Sequence, residues 1–497
     1  HHRSSAASDV YKRQGLGSGL DIEGLVSGLI DAESAPQLEL FASRTEKANN
    51  LISGFGQVST ALASLQSSLT TLESADTFGA VSATSSAESY ATVSGDPGAA
   101  AGSYSLDVTA LAQRHSLVSG DFAATTTQVG TGTLTINLGT PTYNVSPADT
   151  TTYSSFSPDN SVSAISVSIA SGSDSLADVR DAINAATTLV TASLVKNGAN
   201  YKLLLSPKDS GVARSLSVSV TDTGDSNNTD NNGLSQLAFD SSASNLTQVR
   251  AGSDAAFSIN GMSLTSSSNT LTDIIDGVDI TLLQQTVSSV TLTLANDDSV
   301  AETAVENFIT AYNSYISTHA TLTDYDTSTE ASGALIGDFT ARLIADKLRT
   351  QLSATIASAT GTYSTLSSIG VEVQTGGTLK LDSTAFKAAM AADRDSVQSI
   401  FVDRTSGGST LSGLASAMDT LLDTFTSTTG VIKDRTDSIE AQLTEIAAEE
   451  TEFTRLMDSL EDRYRSQFNA LDSLLAEITV TQDLSLIHIS EPTRHAS

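Results

Sequence analysis

Side chains that could carry out chemistry are few in this sequence, and their spacing matches no catalytic motif. Apart from histidines near the two termini, the chain holds only His115 and His319, without the HExxH spacing of a zinc site. Serine is abundant, but there is no Gly-x-Ser-x-Gly motif, and cysteine is absent. We therefore predict that the protein is not an enzyme and has no cofactor, metal site or disulfide.

Two further patterns resemble ligand-binding loops, but each lacks a residue that such a loop requires. The segment from Asn228 to Gly233 has oxygen-bearing side chains at the alternate positions of a calcium loop, yet Phe239 stands where the closing glutamate belongs. We interpret it as a polar loop. Gly15 and Gly17 are followed by Leu20 instead of a third glycine, and no strand precedes them, so a dinucleotide site is not predicted.

Two apolar stripes with alternating steps of four and three residues dominate the ends of the chain. We name them together the stalk seam: Leu51, Phe55, Val58, Leu62, Leu65, Leu69, Leu72, Ile439, Leu443, Ile446, Phe453, Met457, Leu460, Tyr464, Leu471, Leu474 and Ile478, with Glu450 and Gln467 as polar interruptions. Such a repeat keeps one helix face on a partner helix. We predict an antiparallel helical coiled-coil stalk from residues 37–78 and 299–484. The alternative is ordinary helices on a globular core.

The start of the second stalk segment has a helix-capping pattern. Ser299 with Glu302 forms a capping box, which predicts a helix through Val305, Phe308, Tyr312 and Ile316.

The middle of the chain, from Val81 to Asp298, alternates apolar and polar residues in twos, which predicts half-buried strands. Asn197-Gly198 and Asn260-Gly261 predict tight hairpin turns, and Leu176–Ala186 predicts a short helix. We expect two inserted β-rich head domains, the first from residues 79–114 and 250–298 and the second from 115–249. The fold class is then α+β multidomain.

The balance of charges limits the partners. The 497 residues include 25 lysines and arginines against 57 aspartates and glutamates, a formal charge of −32. This charge repels nucleic acid phosphates and anionic lipid. No apolar run approaches the ~20 residues that span a bilayer, and no cleavable signal peptide is evident. We predict a soluble protein with neither nucleic acid nor membrane as a partner.

The sequences of the two terminal segments do not resemble the rest of the chain. Residues 1–14 and 485–497 resemble translated adapter sequence, so we expect them to be non-native tails. The segment 15–36 between the first tail and the stalk carries Gly24 and Gly28, which weaken a helix. We predict that Pro36 begins the next helix.

Several segments in order resemble the flagellar filament cap family, also called hook-associated protein 2. They are the opening Gly15 to Pro36, the run Asn269 to Leu282, Phe308 to Asn313, Gly377 to Asp382, Val397 to Phe401 and the closing Arg463 to Asp472. The resemblance implies an extracellular protein, exported through the flagellar secretion channel to the filament tip. It also implies a ring-like homo-oligomer, commonly a pentamer, beneath which exported flagellin folds and is inserted.

The same resemblance implies further partners and a contact segment. A flagellar export chaperone is an implied partner, and host surface glycans are a possible one. Residues 15–36 would be a leg that is disordered when free and contacts the filament through Gly17, Ser18, Gly19, Leu20, Asp21, Leu25 and Val26. Two alternatives stay open: a hook-filament junction protein, and a surface adhesin that binds host glycans through its β-rich domains.

Overall fold

The computed structural model describes residues 21–143, 153–327 and 330–489, with side chains to residue 482. The chain divides into two compact units. Of the described residues, the helical unit contains those up to Ala75 and those from Glu302 onward, and the β-rich unit those within Asp76–Ala301. A mainly helical unit and a unit built mainly from antiparallel sheets confirm the predicted α+β multidomain class.

The helices are numbered in chain order. They are α1 Ile22–Leu72, α2 Ala75–Phe78, α3 Leu176–Ala186, α4 Asp298–Thr323, α5 Phe339–Ser353, α6 Ser383–Ala392, α7 Arg394–Phe401, α8 Leu414–Thr426 and α9 Val431–Ile489. In the helical unit, α8 packs against α1, α5 and α9, and α1 also packs against α9. The predicted helix α3 is confirmed with its limits.

The strands are numbered likewise. They are β1 Val81–Ser85, β2 Ala91–Gly95, β3 Gly102–Ala110, β4 Ser116–Val118, β5 Gly132–Tyr143, β6 Tyr153–Pro158, β7 Ile165–Ile169, β8 Val190–Asn197, β9 Asn200–Pro207, β10 Ser215–Asp222, β11 Thr247–Arg250, β12 Ala255–Ile259, β13 Met262–Ser266, β14 Thr270–Ile275, β15 Val278–Leu282, β16 Val290–Asn296, β17 Tyr325–Asp326, β18 Ala331–Ser332, β19 Val371–Val373, β20 Leu379–Leu381, β21 Arg404–Ser406 and β22 Ser409–Leu411.

Two predictions about helix starts are wrong. Pro36 lies inside α1, although a proline there deprives the helix of one hydrogen bond, because buried Val26, Ser34 and Phe41 hold both sides of it in place. Helix α4 begins one residue before Ser299. The Ser299 amide donates to Asp297 Oδ1 at 3.0 Å, so an aspartate satisfies the amide that the capping box would have used.

Two hydrophobic cores lie within the β-rich unit. One is formed by β1, β16, β3, β12 and β13 in that order, together with the sheet β14-β15-β2, and its buried residues lie in 91–112 and 255–294. The other is formed by β5 with its neighbours β10, β6 and β7, by the sheet β11-β4-β9-β8, and by α3, and its buried residues lie in 117–246. Alternating burial along β5 and β7 follows the period of two in the sequence.

Both predicted hairpins are present, with one shift. Asn260 and Gly261 have φ of 49° and 80° and form the two-residue loop between β12 and β13, as predicted. In the other hairpin Asn197 still pairs with Asn200, so the loop is Gly198 and Ala199. The ladder extends one residue further than predicted, which places the positive φ of 63° on Gly198 alone.

Candidate assembly surface

Helices α1 and α9 contact each other over much of the length of α1. The Phe41 and Phe453 rings meet edge to face with centroids 5.9 Å apart. Arg44 Nη1 lies 2.5 Å from Glu449 Oε2, and Arg465 Nη2 lies 3.2 Å from Glu23 Oε1. Among these contacts, the residue numbers in α9 fall as those in α1 rise, so the two helices run antiparallel.

The predicted seam residues on α1 face the interior. Phe55, Val58, Leu62, Leu65, Leu69 and Leu72 are buried, and Leu51 is half-buried. The burial continues toward the start of the helix through Ala48 and Phe41, which the sequence analysis did not single out. The signal was available, because Phe41 and Ala48 continue the seven-residue spacing of Phe55 and Leu62.

The predicted seam residues on α9 are most buried in its first half and most exposed near its C-terminus. Ile439 and Ile446 are buried, and Leu443, Phe453, Met457, Leu460 and Tyr464 are half-buried. Leu471, Leu474 and Ile478 are 44%, 54% and 47% exposed, and Glu450 and Gln467 are exposed as well. Since Arg465 already contacts Glu23 near the start of α1, the last three positions lie beyond that start. The stalk seam as a whole stays a prediction.

The predicted leg residues fall into three groups. Gly17, Ser18, Gly19 and Leu20 lie outside the described residues. Asp21 caps α1, because its Oδ1 accepts a hydrogen bond from the Gly24 amide at 3.0 Å. Val26 is buried, whereas Leu25 is 44% exposed, as is Leu29 one turn later. Their role in filament contact stays a prediction.

Exposed apolar side chains therefore come from both helices at the same end of the α1/α9 pair. We name Leu25, Leu29, Leu471, Leu474 and Ile478 the apolar end patch. Large apolar side chains that a helix pair leaves exposed at one end supply surface that another protein can cover. The arrangement can bury apolar area against a second chain but offers no group suited to bond breaking.

His115 lies in the second core of the β-rich unit, where its surroundings suit a neutral ring. Its Nδ1 accepts a hydrogen bond from the Leu216 amide at 3.1 Å, so the proton sits on Nε2, which donates to Gln248 Oε1 at 2.8 Å. Tyr153 and Phe239 pack beside the ring. Burial lowers the pKa of His115 to about 4. It is a structural histidine.

His319 belongs to the helical unit, where it lies beside Tyr315. Burial and the nearby Arg349 lower the pKa of His319.

The polar loop at Asn228–Gly233 is held by its own hydrogen bonds. Ser235 Oγ donates to Asp230 Oδ1 at 2.6 Å, and Asn232 Nδ2 donates to Asp225 Oδ2 at 3.1 Å. Within the described part of the chain, no three His, Cys, Asp or Glu side chains form a group that could hold a metal ion. Among the helices of that same part, none is both long and apolar enough to cross a membrane.

Comparison with known proteins identifies the family. The family profile for the N-terminus of flagellar hook-associated protein 2 matches residues 18–115, and that for its C-terminus matches residues 252–479. Flagellar hook-associated protein 2 of Escherichia coli K12 is 31% identical over 482 residues, 94% of this chain and 95% of the relative. B-type flagellar hook-associated protein 2 of Pseudomonas aeruginosa is 27% identical and covers the same shares, 94% and 95%.

A solved structure agrees with the sequence comparisons. The crystal structure of the D1-D2-D3 domains of the flagellar cap protein FliD from Escherichia coli is 30% identical, with a TM-score of 0.65. The match covers 78% of this chain and 99% of that one. The two family profiles match in order, the relatives match over nearly their full length, and the fold is shared. The chain therefore belongs to the flagellar hook-associated protein 2 family, a structural family of flagellar cap proteins and not of enzymes.

Proposed function

We propose that this protein caps the tip of the bacterial flagellar filament, outside the cell, and promotes the folding and insertion of exported flagellin there. Membership in the cap family supports the role. The observation that carries its mechanism is the apolar end patch, since two antiparallel helices expose five large apolar residues at one end. These residues supply area that a second polypeptide can bury, at about 25 cal/mol per Å².

We further propose the organisation that the stalk seam and the two β-rich cores support. The α1/α9 pair forms a coiled-coil stalk, joined by the edge-to-face contact of Phe41 with Phe453 and by the ion pair of Arg44 with Glu449. The two hydrophobic cores of the β-rich unit correspond to two head domains, residues 79–114 with 250–298 and residues 115–249. Copies of the protein associate in a ring, with five subunits as the expected number.

The partners follow from this role. Residues 15–36 and the end of α9 act as a leg that contacts flagellin in the filament, and a flagellar export chaperone holds the chain before secretion. The matched profiles belong to hook-associated protein 2, which favours a cap over a hook-filament junction protein. No feature of the described residues favours the adhesin, so host glycans are not proposed as partners.

The apolar end patch gives the sharpest test of capping. Replacing Leu474 with aspartate will leave the fold intact, because the side chain is 54% exposed, and such substitutions change the free energy of unfolding by about 0.5 kcal/mol or less. It will abolish filament growth, because a carboxylate cannot be buried against a partner without a large desolvation penalty. The measurement is complementation of a cap-deficient strain, scored by filament length and by monomeric flagellin lost to the medium.

Ser473→Asp is the matched control. Ser473 is also exposed, lies on the same turn of α9 and receives the same charge outside the apolar end patch. Filaments should grow normally with this variant. Normal filaments with Leu474→Asp, or their loss with both variants, would remove the end patch from the mechanism. Failure of the unsubstituted protein to complement, despite export and a folded spectrum, would contradict the capping proposal itself.

A further inference from the structure

Two arginines line one open cavity in the β-rich unit. The cavity has a volume of about 480 Å³ and lies between the segment Leu111–Arg114, Ser210, Arg250 and the segment Ser268–Thr270. Its volume is within the usual range of ligand sites, roughly 300 to 1,000 Å³. Most of the lining side chains are polar, and the two guanidinium groups supply its positive charge.

The backbone around the cavity is fixed by hydrogen bonds. Asn269 accepts from the Ala112 amide at 2.7 Å and donates to the Ala112 carbonyl at 3.0 Å, so it joins two walls of the cavity. The Gln113 amide donates to the Ser253 carbonyl at 2.8 Å, and Arg250 pairs with Ser116 in the ladder of β11 with β4. The Cα positions of Arg114 and Arg250 are therefore set before any ligand arrives, which lowers the entropic cost of binding.

The ion pairing of these two arginines differs from that of the other two in the unit. Between residues 76 and 301 the arginines are Arg114, Arg180, Arg214 and Arg250. Arg180 lies 2.7 Å from Asp181, and Arg214 lies 2.6 Å from Asp159. Across the described residues, no carboxylate lies within ion-pair distance of Arg114 or Arg250, although the whole chain has 57 acidic residues against 25 basic ones. Among the residues that the structure describes, two arginines without a carboxylate partner thus share one cavity, in a chain with a formal charge of −32.

We propose that this cavity is a carboxylate-binding site, in which Arg114 and Arg250 each bind one carboxylate of a dicarboxylate. A guanidinium presents paired N–H donors that match the two oxygens of a carboxylate, and such charge-assisted bonds are about twice as strong as neutral ones. Gln113, Ser210 and Thr270 add donors and acceptors around the pair. The two carboxylates come from neighbouring acidic side chains of a peptide or from a free dicarboxylate.

The site is separate from the capping role, because none of its residues belongs to the stalk seam or to the apolar end patch. Its test is calorimetric titration of the full-length protein at low salt with three probes: tetraglutamate, succinate and the neutral succinamide. We expect saturable binding of a charged probe and none of succinamide. Binding at least tenfold tighter for tetraglutamate than for succinate assigns the site to a peptide, and the reverse assigns it to a free dicarboxylate.

The substitutions Arg114→Gln and Arg250→Gln should each weaken binding about tenfold or more, since each removes one charged, bidentate contact. Arg250→Lys should also weaken it, because an ammonium keeps the charge but loses the paired geometry. Arg180→Gln is the control, since it removes the same charge from an arginine outside the cavity. Arg114 and Arg250 are exposed and Arg180 is half-buried, so thermal unfolding should change little in the four variants.

Three results would overturn the proposal. They are the absence of saturable binding up to about 10 mM of either charged probe, equal binding of succinamide and succinate, and unchanged affinity in both glutamine variants. Impaired binding together with normal filament growth would support the site and leave the capping proposal unaffected.

Discussion

Replacing Phe41 with alanine will lower the free energy of unfolding of the helical unit by about 3–5 kcal/mol, the range for truncating a buried aromatic side chain. Phe41 is 3% exposed and meets the Phe453 ring edge to face at 5.9 Å. Alanine removes the ring and leaves a cavity between α1 and α9. Because these helices come from opposite ends of the chain, this contact joins segments about 400 residues apart.

The change is best measured locally, because a chain with two units does not have to unfold in one step. Amide hydrogen exchange in α1 between Phe41 and Ala48 should accelerate at least ~100-fold if the helices separate before exchange. A double-mutant cycle compares the loss in free energy of unfolding that Phe453→Ala causes in two backgrounds. This loss should be smaller by about 0.5–1.5 kcal/mol in the Phe41→Ala variant than in the wild-type protein. Filament growth should fail in the same variants, since the proposed stalk would open.

Phe339→Ala provides the matched control in the same unit. Its ring is 73% exposed at the start of α5, so its removal should cost about 0.5 kcal/mol or less. If Phe41→Ala destabilised the helical unit no more than this control, the contact between the Phe41 and Phe453 rings would not contribute to the stability of that unit.

The second core of the β-rich unit will lose about 3 kcal/mol of stability between neutral pH and pH 4 through His115 alone. Burial lowers the pKa of this residue from its ordinary 6.5 to about 4. A proton added to Nδ1 would also face the Leu216 amide hydrogen, which now points at that nitrogen. Protonation therefore breaks a hydrogen bond and buries a charge.

The sign follows from the two protonation states. Between pH 4 and 6.5 the unfolded chain binds the proton and the folded chain does not, so stability falls as the pH falls through this window. Above pH 6.5 both forms are neutral at this position, and the contribution of His115 is complete and constant. Below pH 4 both forms bind the proton, and the contribution is gone.

Hydrogen exchange in β5 and β10 as a function of pH, corrected for the intrinsic rate, measures this loss in the core that contains His115. His115→Gln should start less stable at pH 7 and lose about 3 kcal/mol less on acidification. His319→Gln is the control, since the pKa of that residue is also lowered but it belongs to the helical unit. A wild-type core equally stable at pH 7 and pH 4.5 would contradict the assignment of a neutral, buried ring.

Some positions could be placed from sequence because a local rule decides them. The positive φ angles of the turn at Asn260-Gly261 are ones that these two residue types favour. The start of α3 is fixed within one turn, by the capping box of Ser175 with Asp178 that the structure shows. The turn after Asn197 was misplaced by one residue because the ladder of β8 with β9 runs to Asn200, and pairing across strands is a non-local choice.

The sequence alone indicated helical ends and a strand-rich middle, the α+β class, and the ordered motifs that resemble the family. Period and capping act between residues a few positions apart, so they can be read along the chain. Only the tertiary structure decided how far each apolar stripe is covered. Leu471 and Ile446 share one sequence pattern, yet one is exposed and the other buried, because burial depends on where the partner helix ends. It likewise brought Arg114 and Arg250 to one cavity, since residues far apart in sequence meet only through the pairing of whole strands.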